Sequence, residues 1–160
     1  MTAPVWFQTA NKFLGLKEIP GPRHNSVILG WLETMRAWWR NDETPWCGVF
    51  VAYCMKEAGL PYPKLYMRAK AWADYGSLLR ADRLAPGAIL VFDRDKGGHV
   101  AFYVGEDAGH YFVLGGNQAN SVSIMKIGKS RLIASRWPKG VAVKGRPVPM
   151  KGGILSTNEA

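Results

Sequence analysis

The sequence predicts an α+β domain, and three features of its patterning predict it. Up to Gly76, apolar residues recur at helical spacing between Gly- and Pro-containing breaks. From Leu84 onward, short apolar runs alternate with turns rich in Gly, Pro and Asp, the texture of strands. Helices first and strands afterwards, with no βαβ alternation, argues for helices packed on an antiparallel sheet.

Residues 3–14 read as the first helix, with Val5, Trp6, Ala10, Phe13 and Leu14 on one stripe and Gly15 ending it. Lys17-Glu18-Ile19-Pro20-Gly21-Pro22 is a link that cannot stay helical. Asn25 or Ser26 can cap a second helix through Val27, Ile28, Trp31, Leu32 and Met35, fading near Trp38-Trp39. After the polar loop Asn41-Asp42-Glu43 comes the third helix, 44–59. Thr44 suits its N-cap, Pro45 its first position and Gly59 its end. A short helical pattern runs from Arg68 to Tyr75. Strands are expected at 88–92, 99–104, 111–114, 121–127 and 141–144. Residues 1–144 then form a single domain, and 145–160, poor in apolar side chains, read as a flexible tail.

Composition bounds the function. The chain of 160 residues is 48% hydrophobic, enough for a core without staples. No apolar run approaches the ~20 residues of a membrane span, so no stable membrane insertion is expected. The N-terminus lacks the basic region, apolar stretch and cleavage site of a secretory signal, which predicts synthesis in the cytoplasm. Twenty-one basic against 12 acidic residues give a charge of +9, which implies an anionic partner. The basic residues are scattered and match no nucleic-acid motif, so nucleic acid is not the expected partner. His24, His99 and His110 form no close spacing with a cysteine or with one another, so no metal site is expected.

The chemistry starts at Cys47. On the third helix it falls in the first turn, where free backbone N–H groups and the macrodipole favour a thiolate. Cys54 lies ~10 Å further along the same axis, too far for a disulfide, and reads as core. A nucleophile needs a base. In the hairpin of 99–104 and 111–114, His99 and His110 sit at opposite ends, ~17 Å or more apart. The end of the second strand lies beside His99 and reads Gly115-Gly116-Asn117-Gln118. An amide there can hold one ring nitrogen and leave the other to the thiol. Asn117 is the better candidate, since in a regular strand Gln118 points to the opposite face. Gly97-Gly98 and Gly115-Gly116 would let backbone approach a substrate.

Pro45-Trp46-Cys47, Phe50-Val51, Ala58-Gly59, Gly98-His99-Val100 and Gly115-Gly116-Asn117-Gln118 together resemble the CHAP group, the cysteine, histidine-dependent amidohydrolases/peptidases. The likeness covers roughly residues 5–137 and is nearest to compact single-domain phage and prophage endolysins; Leu14-Gly15-Leu16-Lys17-Glu18-Ile19-Pro20-Gly21 and His24-Asn25 fit it too. It implies a papain-like fold, with Cys47 as nucleophile, His99 as base and Asn117 as orienting residue. Many relatives carry Glu, Asp or a second His at that third position. It also implies cleavage of an amide in the peptide part of bacterial peptidoglycan, by side chains alone with no cofactor or metal expected. Trp46 and Gln118 are assigned to substrate binding; Trp38, Trp39 and Trp72 could also line a groove. The Cys47 N–H would receive the oxyanion, with Asn41 a candidate second donor. The protein would act as a monomer at the wall, after release from the cytoplasm. A toxin effector or acyltransferase with the same triad, and a non-catalytic basic wall-binding module, are the alternatives.

Overall fold

The computed structural model describes residues 3–19, 24–38, 46–94, 97–153 and 155. Helix α1 (Val5–Lys12) follows Pro4 and buries Trp6, Phe7 and Ala10. Helix α2 (Ser26–Thr34) is capped by Asn25, whose side chain accepts from the N–H groups of Val27 at 2.8 Å and Ile28 at 3.3 Å. Of the two cap candidates it is therefore Asn25 that serves. The helix ends at Thr34, short of Trp38.

Helix α3 (Cys47–Glu57) is the centre of the domain. Eight of its 11 residues are buried, including Cys47, Gly48, Phe50 and Cys54, so it is covered on nearly every side rather than on one stripe. It starts at Cys47, with Trp46 in the N-cap position and no side-chain cap. That is later than the pattern predicts; Thr44 and Pro45 lie outside the described residues. Its far end closes as expected on Gly59, at φ 72°. The Leu60 N–H reaches the Met55 carbonyl at 2.9 Å and the Gly59 N–H that of Lys56 at 3.0 Å, a Schellman ending. The pattern at Arg68–Tyr75 becomes a 3-10 helix, Ala69–Asp74.

Gly48 explains how the helix fits so deep. A Cβ on it would fall inside the van der Waals contact distance of the Tyr66 carbonyl oxygen, a backbone atom that cannot swing away. Gly48→Ala is therefore expected to cost about 3 kcal/mol or more of folding stability. A shifted denaturant midpoint would show it; an unchanged midpoint would mean that helix and loop are not packed this closely.

Six strands form one sheet in the order β1-β6-β2-β3-β4-β5, every adjacent pair antiparallel. They are β1 (Ser77–Leu78), β2 (Ile89–Arg94), β3 (Gly97–Glu106), β4 (His110–Gln118), β5 (Ser121–Gly128) and β6 (Leu132–Trp137). Strands β2 to β5 form a meander, and β6 returns to pair with β2. Helix α3 packs on β3 and β4, with Phe50 against Phe102 at 6.3 Å between ring centroids. No helix among the described residues is long and apolar enough to cross a membrane.

Two expectations need correction. Residues 141–144 are not a strand, and the sixth strand is instead Leu132–Trp137. In β6 an inward position is taken by Ser135, whose hydroxyl donates to the Leu79 carbonyl at 2.6 Å. A polar residue at a buried site hides the alternation that would betray a strand. The segment from residue 145 is likewise no free tail as far as residue 153. The Glu106 N–H donates to the Val148 carbonyl and the Met150 N–H to the Glu106 carbonyl, each at 2.8 Å. Leu155 bridges to Lys126 on β5. The segment is held by backbone hydrogen bonds, which need no apolar side chains; residues 156–160 lie outside the described ones.

Candidate active site

Cys47 is the first residue of α3. The first intrahelical bond runs from the Phe50 N–H to the Trp46 carbonyl at 3.0 Å. The N–H groups of Cys47, Gly48 and Val49 therefore have no acceptor within the helix.

His99 stands on β3, paired in register with Phe92, and is 1% exposed. Its Nε2 lies 2.8 Å from the Gln118 Oε1. The Gln118 Nε2 donates to the Ser123 carbonyl at 2.7 Å, with a longer contact to that of Val113 at 3.4 Å. Two carbonyls can face only the NH₂ end of an amide, so Oε1 must face the imidazole. His99 Nε2 then carries a hydrogen, and Nδ1 is left for the thiol, with which His99 is hydrogen-bonded.

The thiol responds to this setting. Burial alone would push Cys47 up. The hydrogen bond and charge of His99, the Val100 N–H and the positive charge of Arg94 outweigh burial and hold it below its ordinary value. Cys54 has no such partners. Burial, and secondarily Glu57, pushes it well above the ordinary thiol range. Both cysteines are free.

A buried thiol bonded to an imidazole that is in turn bonded to an amide can supply a nucleophile, a base and an orienting group. Comparison with protein families matches residues 39–117 to the CHAP domain, a span that contains Cys47 and His99. The chain carries a CHAP domain. As a family, CHAP domains imply peptidoglycan-hydrolase or amidase-type activity, generally as cysteine- and histidine-dependent amidohydrolases. The six-stranded antiparallel sheet with few helices is compatible with their papain-like fold. No curated protein matches the chain.

Within this CHAP domain the third group differs from expectation. Gln118, not Asn117, faces the imidazole. Asn117 is buried in a left-handed conformation, φ 59°, and the β4–β5 register shifts between Gly115 and Gln118. The bulge breaks the alternation of faces that favoured Asn117. Gly115 makes the arrangement possible, since a Cβ there would stand 2.7 Å from the Gln118 Oε1. At Gly116 a Cβ would stand 2.8 Å from the Trp46 ring. This glycine pair serves packing rather than substrate approach, and at Gly98 the space is taken by the Lys70 side chain.

The two residues assigned to substrate binding are both withdrawn from solvent. Trp46 is 0% exposed, packs on Trp31 at 5.8 Å between centroids, and donates its indole N–H to Glu18 at 3.1 Å. A fully buried aromatic residue at the start of a largely buried helix belongs to the core. Gln118, also 0% exposed, is spent on His99 and Ser123. Trp72 is core as well, while Trp38 is 82% exposed. Trp39 and Asn41 lie outside the described residues. His110 sits at the far turn, with Nδ1 3.0 Å from Asp107. The sequence reading misses Arg94 and the Val100 N–H; the pairing of β2 with β3 beside His99 was the available signal for Arg94.

Removing the Gln118 amide tests this assignment. Gln118→Ala should lower kcat/KM by about 10²-fold, because a misplaced imidazole costs that much, while Asn117→Gly, which suits a positive φ, should stay near wild type. The reverse order would return the orienting role to Asn117.

Proposed function

We propose that this protein is a cysteine amidase or endopeptidase of bacterial peptidoglycan, acting at the cell wall as a phage endolysin does. The observation that carries the reading is the chain of contacts from the Cys47 thiol through His99 to Gln118. His99 Nδ1 takes the thiol proton, and the thiolate attacks the carbonyl carbon of a stem-peptide amide. The negative oxygen that forms is received by the N–H groups at the start of α3 that have no acceptor within the helix, the Cys47 N–H first. Collapse of this intermediate breaks the C–N bond, and His99 gives its proton to the leaving amine. Water, deprotonated by His99, attacks the thioester, releases the acid and restores the thiol. Gln118 accepts from Nε2 throughout and keeps the ring in one tautomer.

Purified walls should lose turbidity with the protein, and should not after thiol alkylation. Mass spectrometry of the fragments then identifies the new termini, separating an amidase from an endopeptidase. Intact turbidity in every preparation would overturn the reading.

The net charge of +9 is the proposed means of holding the protein to an anionic wall. The screening length falls from ~30 Å at 0.01 M salt to ~8 Å at 0.15 M. Lysis of intact walls should weaken over that range, while hydrolysis of a small soluble peptide should barely change. A flat response of wall lysis would move targeting to specific contacts.

A further inference from the structure

Positive charge gathers where the β2–β3 hairpin meets the reacting groups. Phe92 pairs with His99, and Arg94 with Gly97. Paired residues and every second residue share a face, so Arg94 lies on the His99 side of the hairpin, ~7 Å along the strand. Gly97 offers no side chain there, and a Cβ on it would stand 3.6 Å from a guanidinium nitrogen of Arg94. The guanidinium thus lies across Gly97, two residues before the base. Lys70 and Arg131 reach the same end: the Lys70 ammonium pairs with Asp93 at 3.2 Å, and Arg131 Nε donates to the Asp93 carbonyl at 3.0 Å. By the same alternation Asp93, and with it Lys70, lies on the face of the hairpin opposite to Arg94. The charge of Arg94 is also felt at the Cys47 sulfur.

We propose that Arg94 receives a free carboxylate of the substrate beside the scissile amide, which makes the enzyme selective for acidic peptide stems. The inference rests on the hydrolase reading above and names its substrate class. A guanidinium suits this task because its planar fork can hold both carboxylate oxygens. Lys70 is tied to Asp93 and adds background charge.

The test uses two soluble peptides that differ only in a free carboxylate or a carboxamide next to the scissile bond. Rates are taken at a pH where the thiol is fully ionised, so that loss of Arg94's effect on the sulfur does not intrude. The wild-type enzyme is expected to favour the acid by about 10- to 100-fold in kcat/KM, chiefly through KM. Arg94→Gln should bring the acid to the level of the amide, so that the preference is lost whatever rate the two then share. Arg94→Lys, which keeps the charge without the fork, should show an intermediate preference. Equal cleavage of both peptides by the wild type, or a preference that survives in both variants, overturns the assignment while leaving the hydrolase reading intact. Cleavage of neither peptide overturns both.

Discussion

Cys47→Ser is expected to abolish wall cleavage, by about 10⁴-fold or more in kcat, without unfolding the protein. The physical reason is specific to the site. The sulfur sits at the start of α3, hydrogen-bonded to His99, which can take its proton, and with the Val100 N–H and Arg94 favouring its charged form. A serine hydroxyl in the same place stays protonated and is a far weaker nucleophile. The change is nearly isosteric, so the fold should survive, and an unchanged melting profile is the control. Cys54→Ser is the counterpart. That thiol is 0% exposed in the core, and a hydroxyl there loses its hydrogen bonds to water. Activity should persist and stability should fall, by about 1–3 kcal/mol. The opposite pattern, with Cys54→Ser dead and Cys47→Ser active, would place the nucleophile at the wrong end of the helix.

How much of this was legible in the sequence follows from which interactions are local. Cys47 could be singled out as the candidate nucleophile because a helix start carries a local signature, even though the helix begins two residues later than Pro45. The separation of His99 from His110 followed from period-two strands joined by a short turn, and the structure puts His110 beside Asp107 at that turn. The choice between Asn117 and Gln118 was not legible. It depends on a bulge within β4, where Gly115 leaves room for the Gln118 amide and Gly116 lies against Trp46 of another segment. Trp46 misleads for a related reason. An aromatic residue next to a nucleophile reads the same whether it lines a groove or fills the core, and only its neighbours Trp31 and Glu18 decide. The 145–153 segment was hidden because backbone groups hold it, and backbone groups leave no mark in composition.

His99→Ala should lower kcat/KM by about 10³-fold, whereas His110→Ala should remain close to wild type. The imidazole of His99 is the one bonded to both the thiol and Gln118, and that of His110 only meets Asp107 among these groups. Loss of a base and loss of fold can be told apart by the thiol itself. In the folded protein Cys47 is held below its ordinary value, with the His99 hydrogen bond and charge the leading influences against burial. A lowered value means that thiolate persists to lower pH, and that the ion pair's contribution is lost as pH falls through the folded value. Alkylation of Cys47 should therefore reach half its maximal rate below pH 9.0, the ordinary thiol value. In His99→Ala the influences named next, the Val100 N–H and Arg94, remain but burial gains ground, so the midpoint should move up. In His110→Ala it should not move. Cys54, pushed well above the ordinary range by burial, stays unreactive over the same span and does not confuse the reading. A midpoint that is unchanged in His99→Ala would break the link between the two residues, and the hydrolytic mechanism would then need another base.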